Sequence, residues 1–465
     1  METRWSWLSN AVNTPEKRGR MSAPQLHFNA FIWPNGYHES AWRVVDDDVR
    51  GVLGLAYYAE IGRIAERGLM DSIFLADNIA IPEYRVTHLP QTQFDPVVVL
   101  SALAAVTSSI GLIGTGSTTY SKPWDLARRF ATLDHMSGGR AGWNIVTTST
   151  PLVAANFGEG GHPEHADRYA RAHEFVEVVQ RIWDGWEDDA IVGDRERGVW
   201  GDRGKLHAPH FHGEHYDVEG ILPFPRSPQG WPVLVQAGQS PAGISLAARY
   251  AELVFSGPPS LAAAIEFRAE LHRQAVAAGR KPDQVLVLPA LMITLGGTEA
   301  EARARANRLD ELASPEFRWQ NALYMTGHNP DDFDGDAPLP PELYDGRPLP
   351  TSGAQRLYDA AREHPDLPLR ELAGHLGWGS NQTQFVGTPE QLADHIIASA
   401  DAGAVDGFTI MGSTLPYELR AFAEQVVPIL QARGRFRTEY SGHTLRDHLG
   451  LDRPGNRPGK GKAGG

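Results

Sequence analysis

No cysteine occurs anywhere in the 465 residues, which excludes disulfides, thiolate nucleophiles, cysteine-ligated iron–sulfur clusters and cysteine-type zinc sites. Any redox chemistry must then come from a bound cofactor. Long apolar runs are missing as well: nothing approaches the roughly 18 consecutive apolar residues of a membrane helix. Residues 1–20 mix Trp5, Trp7, Glu16, Lys17 and Arg18 without the apolar stretch of a secretion signal. The expectation is a cytoplasmic protein with no membrane partner, with Met21 an alternative natural start. Positive charge is scarce: 43 Lys and Arg against 57 Asp and Glu leave a formal net charge of -14. Nucleic-acid binding needs a basic face to neutralise phosphates, so a small-molecule substrate is expected instead. Also lacking are a P-loop and an intact G-x-G-x-x-G after a strand, since Gly114 and Gly116 supply only the first half. With no nicotinamide domain evident, hydride must arrive through another protein or a diffusing cofactor.

What is present is an ordinary globular composition, 42% hydrophobic and 22% charged, arranged as short β-branched runs alternating with helical patterns. Strands are expected at residues 26–32, 72–76, 111–117, 142–147, 233–237, 252–256, 285–294 and 407–411. Helices are expected at 57–67, 96–106, 123–136, 165–186, 241–250, 261–278, 389–402 and 417–433, with Pro96, Pro123, Pro241 and Pro389 in first turns, where a fixed φ suits the helix. Eight such units predict an α/β fold, a single (β/α)8 TIM barrel, which routinely exceeds 250 residues as one domain. Two segments exceed ordinary loop length: 187–230 after the fourth helix, read as a hairpin, and 296–381 after the seventh strand, with a helix at 299–312. Insertions of this size shape the mouth of a barrel's active site. The expected organisation is an N-terminal extension at 1–21, a barrel domain at 22–440, and a tail at 441–465 whose Gly, Pro and Lys content predicts disorder.

Catalytic groups of a barrel stand at the carboxyl ends of its strands, and there this sequence places polar residues on successive strands. They include Asp77 and Asn78, then Thr115 through Tyr120, then Asn144, Thr147 and Thr148, then Gln236, Gly238 and Ser240. The simpler role for any one of them is to start a loop or cap a helix. His165 and Tyr169 are four apart at a helix start and share a face, and both can donate to a phosphate or to ring heteroatoms. Gly238, Gln239 and Ser240 precede a helix opened by Pro241, whose free amides and dipole suit an anion. His38, with Trp33 and Trp42, follows the first strand at the mouth. Asp134, His135 and Arg140 lie at the opposite end, where structural roles are expected.

The segments FLADN (74–78), GTGSTTYSKPWDLARRFATLDHMSGGRAGWNIVT (114–147), ANFG (155–158), HADRYARAHEFVEVVQRIWDGWEDDA (165–190) and VLVQAGQS (233–240) resemble the bacterial luciferase-like FMN-dependent monooxygenases. Within that family, the nitrilotriacetate and dibenzothiophene-sulfone monooxygenase group is the best match, over about residues 26–439. The resemblance implies noncovalent FMN, received reduced from a separate NAD(P)H:flavin reductase, insertion of one oxygen atom from O2 into a small-molecule substrate, and a homo-oligomer. The FMN contacts it implies fall on Asp77, Thr115, His165, Tyr169 and Ser240, with Thr148 where the family more often has Ser. Ala166 stands where acidic residues are common, and Ser149 where some members have histidine, so the catalytic acid/base is unassigned. Other readings are a deazaflavin-dependent oxidoreductase of the same superfamily, a noncatalytic flavin-binding protein, and a metal-dependent barrel hydrolase built on His207, His210, His212 and His215.

Overall fold

The computed structural model describes residues 25–45, 48–158, 160–344, 352–376 and 383–456. The expected extension at 1–21 lies outside them. Ten strands form one large curled sheet: β1 (His27–Phe31), β2 (Ser72–Leu75), β3 (Gly111–Ser117), β4 (Ala141–Val146), β5 (Val233–Ala237), β6 (Leu253–Phe255), β7 (Leu286–Val287), β8 (Ala290–Leu295), β9 (Thr383–Gly387) and β10 (Gly407–Gly412). Their order is β7-β6-β5-β4-β3-β2-β1-β10-β8-β9, and every pairing is parallel. Strands of such a sheet are covered on both faces, which is why β1, β3 and β8 are buried at every position.

Two strands differ from expectation. The single strand expected at 285–294 is broken after Val287, because Pro289 has no N–H to offer a ladder. The chain there still reaches both ends of the sheet: Leu288 N donates to Val254 O of β6, while Thr409 N of β10 donates to Pro289 O. The five residues of β9 were not anticipated. They lie beside β8 in the register Leu291↔Thr383 to Leu295↔Gly387, and so short a run carries little pattern of its own.

The helices follow the strands closely: α1 (Leu55–Arg67), α2 (Pro96–Ala104), α3 (Pro123–Ser137), α4 (His165–Trp183), α5 (Pro241–Tyr250) and α6 (Leu261–Ala277). The long segment after β8 folds as α7 (Glu299–Glu311), α8 (Pro315–Met325), α9 (Ser352–Glu363) and α10 (Leu369–Leu376). It has a small core of its own, including Trp319, Leu323, Leu339 and Leu372. Then come α11 (Pro389–Asp401) and, after β10, α12 (Tyr417–Ala421) and α13 (Val427–Ala432), separated by one wider turn at Phe422–Val426 where a single helix was expected. Prolines do open α2, α3, α5 and α11. Segment 187–230 carries two small hairpins, Ile191–Asp194 with Val199–Gly201 and Phe211–His212 with Asp217–Val218.

One core lies inside the curl and includes Phe31, Phe74, Ile113, Val235, Met292 and Met411. The tail completes it, which corrects the expected disorder after residue 440. Residues Leu445–Leu449 form helix α14, and Leu445, Leu449 and Leu451 are buried in that core. A Cβ on Gly111 would lie 2.5 Å from Leu445 Cδ1, so the bare start of β3 makes room for the plug. Arg446, 1% exposed, holds Glu252 through Nη1 and Nη2 at 2.6 and 2.8 Å. Composition missed this because the Gly, Pro and Lys lie mostly beyond the helix; residues 457–465 are outside the described set. At the same end, Gly138 and Gly139 turn the chain at φ 72 and 96, and Arg140 donates to four different backbone carbonyls. Its role is structural, as its position at the closed end predicts.

Candidate functional site

A cavity of about 530 Å³ opens at the carboxyl ends of the strands, between the loops after β1, β2 and β4 and the carboxyl end of α8. Its walls include the aromatic rings of Phe31, Trp33, Trp42, Phe74 and Phe255, while four of the six expected site residues line it: Asp77, Thr115, Thr148 and Tyr169. Thr115 points inward from β3, where its hydroxyl donates to Leu75 O and accepts from Asn144 Nδ2, both at 2.9 Å. That arrangement aims Asn144, and Asn144 Oδ1 is left buried with no partner. A buried acceptor without a donor costs about 1–3 kcal/mol, and an N–H or O–H brought into the cavity would satisfy it.

Thr148 sits at φ 37, a left-handed conformation that a β-branched residue adopts only under constraint. The constraint is visible. Ser117 Oγ accepts from Thr119 N and Tyr120 N and lies 2.7 Å from Thr148 Oγ1. With both lone pairs engaged, Ser117 donates its own proton to Thr148, and the Thr148 hydroxyl keeps a proton to offer into the cavity. Asp77 is partly buried near Asp95, and its pKa is pushed up to about 6, first by burial and then by that neighbouring charge, with Arg129 opposing. It can therefore accept or donate near neutrality.

Tyr169 reaches the cavity from the second turn of α4. A Cβ on Gly243 would stand 3.2 Å from its hydroxyl, so the phenol lies against the start of α5 because Gly243 has no side chain. Ser240 and His165 stand outside the cavity lining. Ser240 Oγ accepts from Gly243 N at 3.1 Å and caps α5, the simpler of its two expected roles. His165 is exposed and packs its ring 4.8 Å from that of Tyr169. Gln236 Oε1, beneath this corner, is a second buried acceptor without a partner.

The segment after β8 supplies the cover. Tyr324 and Met325 of α8 line the cavity, and Arg318 on the same helix bonds Glu39 of the β1 loop at 2.6 Å. Burial pushes the Glu39 pKa up and Arg318 pulls against it. Sequence reasoning passed over Arg85, which also lines the cavity, because a lone cation in the loop after β2 carries no spacing signal. Its bond to Asn321 crosses 236 residues. The histidines of 207–215 do not converge: His207 pairs with Glu187, whereas His210 and His212 share Glu219. Among the described residues no three histidines or carboxylates form a cluster able to hold a metal ion.

Residues 38–406, which contain nearly all of these elements, match the sequence model of the luciferase-like monooxygenases. The chain belongs to that family. Relatives of this luciferase-like chain include N-acetyl-S-(2-succino)cysteine monooxygenase of Bacillus subtilis strain 168, 41% identical over 437 residues, or 94% of this chain and 99% of that one. Component A of nitrilotriacetate monooxygenase from Aminobacter aminovorans is 40% identical over 444 residues, covering 93% and 98%. Among solved structures, riboflavin lyase with modified FMN and its substrate riboflavin superposes with a TM-score of 0.83 at 32% identity, covering 93% of this chain and 97% of that one. The family supplies a flavin-dependent monooxygenase frame, and among the described residues no helix is long and apolar enough to cross a membrane.

Proposed function

We propose that this protein is the oxygenating component of a two-component monooxygenase, taking up reduced FMN made by a separate NAD(P)H:flavin reductase and oxygenating a small organic substrate with O2. The observation that carries the reading is the buried, unpartnered Asn144 Oδ1 in an aromatic-walled cavity beside the free proton of Thr148. A flat heteroaromatic ring with an N–H edge and acceptor atoms meets those needs, and the modified FMN held by a relative of the same fold supports the choice. In this reading β7 and β8 are two halves of a seventh strand, which makes the sheet an eight-stranded (β/α)8 barrel with insertions after the fourth helix and the seventh strand. Asn144, oriented by Thr115, receives a ring N–H. Thr148 and Asp77 donate to ring acceptors. Tyr169, with His165 and the Ser240-capped start of α5, forms the corner for the phosphate.

When bound, reduced FMN supplies the two electrons with which O2 is split, one oxygen atom entering the substrate and the other leaving as water. The chain's own part is to hold that ring against the aromatic wall and to keep bulk water away. Met325 and Tyr324 do so from above, fixed by the Arg318–Glu39 pair.

The test is the purified chain with NADH, FMN and O2, which should oxidise almost no NADH. Adding an unrelated flavin reductase should then give oxygen uptake dependent on substrate in a screen of small organic compounds. Rapid NADH oxidation by the isolated chain would overturn the two-protein scheme, and absence of FMN binding in a fluorescence titration would overturn the cofactor.

A further inference from the structure

Arg85 belongs to the short helical turn Glu83–Thr87 after β2 and lines the cavity beneath Tyr324 of α8. Its Nη2 donates to Asn321 Oδ1 at 2.8 Å, an oxygen it shares with the Tyr84 hydroxyl at 3.2 Å. Its Nε is buried and has no acceptor. Among the described residues no carboxylate lies within 4.0 Å of the guanidinium. Neither acid of the cavity pairs with it: Glu39 is held by Arg318 at 2.6 Å, and the charges acting on Asp77 are Asp95 and Arg129.

An arginine in this state is poorly served. Its charge is partly withdrawn from water, one N–H is unmet, and its fork is already immobilised by Asn321, so the rotamer freedom is lost without the ion pair that usually accompanies it. A carboxylate is the group that would take Nε–H and an adjacent Nη–H together, with charge neutralised and both bonds short. Trp33, Trp42 and Phe74 line the same cavity and favour an apolar body on the same molecule.

We propose that Arg85 is the anchor for a carboxylate of the substrate, which makes the substrate class small organic acids. The inference rests on the oxygenase reading for what happens to the acid, but the recognition stands on Arg85 itself. Two matched pairs test it on the full chain loaded with oxidised FMN, by isothermal titration calorimetry: succinate against butanediamide, and phenylacetate against phenylacetamide. At least one acid should bind about ten- to a hundredfold more tightly than its amide. Arg85→Gln should abolish that preference, Arg85→Lys should keep part of it, and FMN affinity should be unchanged in both. Equal or undetectable binding of acid and amide to the wild type would overturn the proposal. So would a preference that survives Arg85→Gln, or a loss of FMN affinity that accompanies loss of the preference, since the arginine would then serve the flavin. If FMN binds to no form of the protein, the flavin reading fails by itself, and the same comparison on the flavin-free chain still decides the anchor.

Discussion

Replacing Asp77 by Asn should stabilise the protein, and only above mildly acid pH. Among the described residues none donates a hydrogen bond to the carboxyl to compensate its partial burial, and Asp95 adds a like charge, so its pKa rises from 3.8 to about 6. A raised carboxyl pKa means that the folded state holds the proton more tightly than the unfolded chain does. The favourable contribution is therefore complete below 3.8, declines as the pH climbs, and is gone above about 6, where the folded state carries an unwelcome charge. A shift of about two units is worth at most about 3 kcal/mol at 1.36 kcal/mol per unit. Asp77 is only partly buried, and solvent screening brings the figure to roughly 1–2 kcal/mol. Asp77→Asn should exceed the wild type by about that amount at pH 7 and by little at pH 4. Urea unfolding of both proteins from pH 4 to pH 8 measures the difference, which cancels whatever other groups titrate in common. A gap that does not vary with pH, or a variant less stable than the wild type at pH 7, would show that burial does not raise the Asp77 pKa. As a donor to the ring, the same carboxyl should make FMN affinity of the wild type fall as the pH rises through about 6, and Asp77→Asn should flatten that profile.

Two further outcomes are expected. Tyr169→Phe removes a donor from the α5 corner and no core contact, so FMN should bind about ten- to a hundredfold more weakly with no loss of thermal stability; an unchanged fluorescence-quenching curve would take Tyr169 out of the phosphate corner. Leu445→Ala empties a fully buried position at the foot of the sheet and should cost about 2–5 kcal/mol in urea unfolding, whereas a cost under about 1 kcal/mol would show that α14 does not plug the core.

The alternation of strand and helix was legible in the sequence because most of the parallel strands carry a short apolar run and most of the helices open on a proline or a capping residue. Those signals are local, and β1 to β6, β10 and α1 to α6 lie close to where they point. Asp77, Thr115 and Thr148 were legible for a related reason: in an α/β unit the end of a strand is also the rim of the mouth, so polar residues just past an apolar run identify themselves. The failures are long-range. Pro289 breaks a run that looks continuous, and β9 exists only because β8 offers it an edge. Helix α14 is five residues with little pattern of its own, made a core element by the bare Gly111 and by Glu252, 194 residues away from Arg446.

Sequence alone was enough for the kind of fold, the end of the sheet at which polar residues gather, and the exclusion of cysteine chemistry. The tertiary structure alone decided which polar groups are satisfied and which are left waiting. Ser240 spends its oxygen on capping α5, and His165 stays in solvent. Asn144, Thr148 and Arg85 keep an unmet acceptor, a free hydroxyl proton and a buried N–H respectively. A hydrogen-bond partner brought from 40 or 236 residues away has no periodicity to announce it. It is fixed only when the curled sheet and α8 have come together around the cavity.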